Sequence, residues 1–195
     1  AIVGSARFDP EDESVAALVR RVARSRPESI AIVDVLSSGS AALVRGLRAA
    51  LGPDVAISAP DGFPPDELKR IPGGAAEGLY VTYYGIPNDR LPPKGQQFLR
   101  GFAAANGGDP GPDLAAAYGA QAAEILLDAI ARSDGTRTSV IAEVRDTVVK
   151  DGILGNIAWD ARGDLLEAPI TIFRVQKGDF VVDRVVVTRP PRGDQ

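Results

Sequence analysis

The chain has 195 residues, a formal net charge of −4, 45% hydrophobic and 25% charged residues, and neither cysteine nor histidine. That length fills one large domain or two small lobes, and an acidic balance with no basic block argues against a nucleic-acid surface. Without cysteine or histidine there are no disulfides, thiol nucleophiles, imidazole bases or zinc sites of the usual ligand set. An all-carboxylate magnesium or calcium site is the one metal chemistry left, and no EF-hand-like spacing of acids supports it, so neither metal nor cofactor is expected. No run of eighteen apolar residues marks a membrane span. No signal peptide opens the chain. It starts on a strand-like fragment, Ala1-Ile2-Val3-Gly4, as expected where an upstream portion is missing.

Asp9-Pro10-Glu11-Asp12-Glu13 predicts a helix start, with an N-cap acid, proline at the first helical position and acids in the first turn. Val15, Leu18, Val19 and Val22 follow at helical spacing, and Arg24, Arg26 and Pro27 close the helix. Residues 30–36 are nearly continuous in apolar side chains, the pattern of a strand buried on both faces. A helix then carries Leu43, Val44, Leu47 and Leu51, Gly52-Pro53 ends it, and residues 55–58 form the next strand. This strand–helix alternation with brief loops implies a parallel sheet.

In such sheets ligands collect beyond the carboxyl ends of the strands. Two loops fit. One holds Ser37, Ser38 and Ser40 at a helix N-terminus, where hydroxyls cap the helix and free amides can meet a ligand. The other is Ala59-Pro60-Asp61-Gly62-Phe63, in which Asp61 is equally a turn residue and a candidate ligand contact. Residues 66–71 read as a short helix, and Pro72-Gly73-Gly74 as a turn lacking the order of a phosphate-binding loop.

Glu77-Gly78-Leu79-Tyr80-Val81-Thr82-Tyr83-Tyr84-Gly85 is the pivot between two regimes: before it strands alternate with helices, after it come three helices without a strand. Ile86 to Pro93 holds three prolines and reads as extended. The helices span about 96–105, with Phe98, Leu99 and Phe102; 113–132, with Tyr118, Ala122, Ile125, Leu126, Ala129 and Ile130; and 138–150, with Val140, Ile141, Val144 and Val148. Three apolar stripes without a local sheet need covering. A tight turn around the single tryptophan follows, then strands 169–175 and 180–187 pair as a hairpin. The polar tail 189–195 reads as disordered, and its Arg192-Gly193-Asp194 as coincidence.

The order of these pieces resembles the type I periplasmic solute-binding proteins, in the branch that binds leucine, isoleucine and valine. The likeness is carried by the helix after Phe8-Asp9-Pro10, by Leu47-Arg48-Ala49-Ala50, by Ala75-Ala76-Glu77-Gly78-Leu79-Tyr80 and by Phe98-Leu99-Arg100. Ala117-Tyr118 adds to it, and the most specific part is Gly155-Asn156-Ile157-Ala158-Trp159-Asp160-Ala161-Arg162-Gly163-Asp164. It covers about residues 1–185 and the C-terminal half of such proteins only. It implies an α/β fold: a parallel-sheet lobe (1–83 and 166–188), a hinge and helical segment of the other lobe (84–165), and a C-terminal hairpin. The first lobe's sheet and the loop that grasps an amino acid's carboxylate would lie upstream.

By the same resemblance Asp61 falls on the acid that meets the ligand's ammonium, a buried, charge-assisted contact. Tyr118 falls on an aromatic near the cleft, and is equally a core tyrosine. The family's aromatics beyond the second-lobe strand are replaced by Leu36, Ser37 and Ser38, a departure that argues against an aliphatic amino acid.

The expectation is a non-catalytic solute-binding module, for an amino acid or similar polar solute, closing about a hinge at residues 83–88 and 159–165. Its setting would be extracytoplasmic, with a membrane permease as partner. The alternative is the sensing domain of a transcriptional regulator or receptor kinase, cytoplasmic in the first case. An enzyme using Asp34 or Asp61 as acid–base group is disfavoured by the lack of a nucleophile elbow, metal set or phosphate loop. With half the clamp upstream, weak solute affinity is expected, and a homodimer or strand exchange that covers the helical stripes.

Overall fold

The computed structural model describes residues 2–6, 14–33, 38–63, 68, 71, 74–108 and 115–189. The chain divides into two compact units. Unit 1 comprises Ala1–Tyr83 and Thr171–Arg184; unit 2 comprises Tyr84–Ile170 and Val185–Gln195.

Unit 1 begins with α1 (Val15–Arg24), β1 (Ser29–Ala31), α2 (Ser38–Leu51) and β2 (Ala56–Ala59), followed by β3 (Tyr80–Tyr84). Ser14 caps α1, its Oγ accepting from Ala17 N at 3.2 Å. α1 starts at Val15, directly after this cap. The start expected at Asp9-Pro10 lies outside the described residues. Leu18 and Val19 of that stripe are buried, as are Leu43, Val44 and Leu47 of α2.

β1, β2 and β3 pair in parallel, Ile30 opposite Ile57 and Ser58 opposite Tyr80. β6 (Ala168–Gln176) and β7 (Asp179–Thr188) complete a five-stranded sheet in the order β1-β2-β3-β6-β7. Gly78 N–H donates to Val175 O and Val175 N–H to Leu79 O, both at 2.9 Å, while Gly85 N–H donates to Pro169 O. Those pairings run in opposite senses, so β6 is antiparallel to β3. The β6–β7 hairpin closes on Lys177 (φ 54°) and Gly178 (φ 82°), a two-residue turn with both central φ positive.

Two strand expectations fail at the edge. Among the described residues β1 covers Ser29–Ala31 and is the outermost strand; Ser29 and Ala31 are exposed and Val33 is 92% exposed, while residues 34–36 of the expected strand lie outside the described residues. An apolar run reports hydrophobicity, not the number of neighbours the strand finds. Residues 2–6 likewise form no strand, and Ile2 and Val3 are exposed.

The core of unit 1 gathers α1, α2 and the sheet around Ile57, Phe63, Leu79 and Val81, each fully buried. Leu68 and Ile71 join it; the other residues of the short helix expected there lie outside the described set. Tyr83, Phe173 and Phe180 form an aromatic triad with ring centroids 5.4–6.0 Å apart. Arg48 ties the end of α2 to the start of β2. Its Nη1 donates to Gly52 O, Pro53 O and Val55 O at 3.3, 3.2 and 2.8 Å, Nε is buried without a partner, and burial lowers the pKa of the group. Arg48→Met keeps most of the apolar stem and removes the donors. We expect a loss of about 1–2 kcal/mol in urea denaturation; an unchanged midpoint would mean that water serves these carbonyls equally well.

Unit 2 holds α3 (Pro93–Asn106), α4 (Ala115–Arg132), α5 (Arg137–Arg145) and the antiparallel pair β4 (Val149–Gly152) and β5 (Gly155–Ile157). The proline-rich entry is not extended throughout: Asn88–Arg90 make one 3-10 turn, which buries Leu91. α5 stops at Arg145, so the expected helix over 138–150 is shorter and its end becomes β4, whose partner strand is not visible in local periodicity.

The stripe on α4 also differs from expectation. Ala117, Gln121, Ile125 and Ala129 are buried, whereas Leu126, Leu127 and Ile130 are 48, 66 and 47% exposed. Gln121 is a buried polar residue with partners. Its Oε1 accepts from Leu154 N and its Nε2 donates to Glu124 Oε2, both at 3.3 Å, and Lys94 pairs with Glu124 at 2.9 Å. On the other side Arg132 bonds Asp128, Glu143 and Thr147, joining α4 to α5. The charged groups of α4 thus reach its neighbours while much of its apolar surface faces outward. The core here is small: Leu91, Leu99, Ala117 and Ile153. Arg189 pairs with Glu167 at 2.8 Å, and the rest of the expected tail, 190–195, lies outside the described residues.

Candidate functional site

In unit 1 the loop after β2 leaves the carboxyl end of a parallel strand. Ala59 is buried and its carbonyl accepts from Thr82 Oγ1 at 3.5 Å. Phe63, fully buried, closes the turn, its N–H donating to Pro60 O at 3.2 Å. Between these anchors stands Asp61, at the turn and exposed to solvent. Its carboxylate is thus held at the tip of a loop whose two ends are fixed.

Ser38 opens α2 and so follows β1 at the same carboxyl edge of the parallel strands. Ser37 lies outside the described residues, as does Asp34. Ser40 is buried within α2, and the hydroxyl signal at this helix start belongs in part to the fold.

Tyr118 belongs to unit 2, on α4. Its ring meets Tyr84 edge-on, centroids 4.9 Å apart at 80°. Burial raises the pKa of the phenol, and Tyr84 adds to the shift. Gly85 (φ +84°) stands at the hydroxyl edge of the ring; a Cβ there would overlap the hydroxyl and come within 2.7 Å of Tyr118 Cε2 and 2.8 Å of Cζ. Sequence reasoning singled out Tyr118 and missed Tyr84 and Gly85 as its neighbours, although all three lie in stretches already noted.

The motif around the tryptophan is a turn within unit 2. Trp159 bridges Leu165, and Asp160 Oδ1 accepts from Arg162 N and Asp164 N at 2.8 and 3.0 Å. Those backbone bonds, Asp164 first, hold the Asp160 carboxyl below its ordinary value. The carboxylate here folds the loop. Among the described residues no group of three or more histidine, cysteine or acidic side chains could hold a metal ion, and no helix is long and apolar enough to cross a membrane.

A family model described as periplasmic binding protein matches residues 1–179. Among solved structures the chain is similar to a leucine-binding protein from Thermotoga maritima, at 29% identity over 94% of this chain and 51% of that one, with a TM-score of 0.74. It is similar also to a solute-binding protein of an R. palustris ABC transporter in complex with 4-hydroxybenzoate: 18% identity, 97% and 52% coverage, TM-score 0.70. A third is the branched-chain amino acid transporter substrate-binding protein of Streptococcus pneumoniae in complex with isoleucine: 18% identity, 94% and 51% coverage, TM-score 0.67. At 18% identity the last two speak for the fold alone. No curated protein sequence matches the chain. The chain spans about half the length of the solved structures it matches. With a family model covering most of its residues and an α/β fold of parallel strands, helices and a closing hairpin, the chain belongs to the periplasmic binding protein family.

Proposed function

We propose that this chain is part of a non-catalytic solute-binding protein of an ABC transporter, taking an amino acid or a similar small polar solute with Asp61 as the group that meets its ammonium. The observation that carries the reading is the loop of residues 59–63. A parallel strand ends there, Phe63 pins the far side in the core, and one carboxylate is held out between them. A carboxylate accepting from an ammonium makes a charge-assisted hydrogen bond, which selects amino acids over solutes bearing only a carboxylate. The helix start at Ser38, at the same strand ends, supplies backbone donors for a solute's anionic group.

Tyr118 is the aromatic contact in this reading. Closure follows from solute favouring one arrangement of the two units, the chain passing between them in β3, β6 and β7. A permease is then the receiving partner, in an extracytoplasmic setting.

The test is an amide-resolved NMR titration of the chain with L-serine and, separately, 4-hydroxybenzoate. L-Serine, a polar amino acid, is expected to move the amides of Ala59, Asp61, Gly62 and Phe63. Asp61→Asn weakens that response roughly tenfold to a hundredfold, the size of a lost charged hydrogen bond. 4-Hydroxybenzoate, with no ammonium, does not depend on Asp61. An Asp61→Asn chain that answers L-serine as the parent does would sink the assignment.

A further inference from the structure

The mechanism above uses Tyr118 but leaves open what holds its ring. We infer that Gly85 is a positioning residue for Tyr118: the absence of a side chain at 85 leaves the space that the hydroxyl edge of the ring occupies, and so sets where the ring can meet solute. The inference rests on the reading of Tyr118 as a solute contact.

Both backbones at this point are held. Gly85 is buried, and its N–H donates to Pro169 O at 2.7 Å, which fastens the end of β3 to β6 within unit 2. Tyr118 is carried by a helix whose position is fixed next door, where Ala117 is buried and Gln121 accepts from Leu154 N. A Cβ at 85 meets the ring at 2.7–2.8 Å and also overlaps its hydroxyl. With neither backbone free to withdraw, the ring is the part that moves, rotating away from Tyr84 toward water. A side chain at 85 thereby changes the solute contact without touching solute. The left-handed φ of +84° at this residue restricts it further.

The experiment is an absorbance titration of tyrosinate together with thermal melts of Gly85→Ala, Tyr118→Phe, Tyr118→Leu and Gly85→Ala/Tyr118→Leu. The chain has four tyrosines, and the difference between the parent and Tyr118→Phe isolates one of them. In the parent this phenol is expected to ionise above the ordinary value near 10, in keeping with its burial beside Tyr84. In Gly85→Ala its midpoint falls toward that value as the ring reaches water. A midpoint unchanged by Gly85→Ala overturns the inference.

The melts supply a second arm. The strain of alanine at a left-handed φ is common to the single and double variants, so Tyr118→Leu recovers melting temperature in the Gly85→Ala background only if the ring was the obstacle; simple additivity overturns the inference. L-Serine separates the two readings. A Gly85→Ala chain with a shifted phenol and a weakened L-serine response supports both. A shifted phenol with the L-serine response intact keeps the positioning role of Gly85 and removes Tyr118 from the solute site.

Discussion

Phe63→Ala is expected to destabilise the chain by about 3–5 kcal/mol, the usual cost of emptying a fully buried aromatic site. Phe63 has no exposed surface and sits in the core of unit 1 with Leu79, Val81 and Val44. The loss comes from two sources: the ring's apolar area returns to water, and the surrounding strands and helices collapse only partly into the space. Against a total of about 5–15 kcal/mol for a folded protein, that is a large share. The same residue anchors the loop that carries Asp61, so amide signals of residues 60–62 should broaden or shift even in the fraction that stays folded. Urea denaturation gives the first number and NMR the second. A loss below about 1 kcal/mol, smaller than any large-to-small core change of this kind, would show that Phe63 is not the anchor.

Gly95→Ala and Gly101→Ala should have opposite signs although both lie in α3. At Gly101 a new Cβ meets nothing within 4 Å, so alanine brings only its better helix propensity, about 0.5–1 kcal/mol in favour of folding. At Gly95 the Cβ would overlap the carbonyl oxygen of Ile153 and lie 2.8 Å from Leu91 Cβ. A backbone carbonyl cannot swing aside as a side chain can, and overpacking of this kind costs about 1–3 kcal/mol, enough to outweigh the propensity gain. Paired denaturation curves check the signs. Faster hydrogen exchange in Gly95→Ala around residues 91–99 and 153–154 would locate the damage at the contact of α3 with the β4–β5 turn. Two stabilised variants would mean that α3 can withdraw from Ile153 at no cost.

Helix identity was legible in the sequence wherever apolar spacing and the burying surface agree, as in α1 and α2. It was less so on α4, where Gln121 is buried because Leu154 N and Glu124 satisfy it. A hydropathy pattern places glutamine outside and so rotates the stripe toward Leu126 and Ile130. Strand extent was misjudged for a related reason. Residues 30–33 are apolar enough for a central strand, but among the described residues β1 ends at Ala31 and lies outermost in the sheet. Val149–Gly152 reads as the end of a helix until β5 is present to pair with it. The hairpin was clear because its turn chemistry, Lys177-Gly178 between two β-branched runs, is local.

At the candidate site, Asp61 before glycine announces a turn after a strand, and the turn is there. Tyr118 was identifiable as an aromatic on a helix, but the empty place at its hydroxyl edge depends on Gly85, thirty-odd positions earlier, having no side chain. Contacts of that range leave no periodic trace in a single sequence.

Neither unit is one uninterrupted stretch of polypeptide, since β6 and β7 give residues to both. A gene fragment ending at residue 83 would deprive Gly78 and Leu79 of the strand that bonds them. A fragment spanning 84–170 would lose β7, and with it the Thr188 hydroxyl that donates to Ala168 O at 2.9 Å. Dissecting this molecule with expression boundaries therefore breaks the sheet in either piece, and a linker rejoining the severed strand to its own half, as in a rearranged chain order, is what a separable half would require.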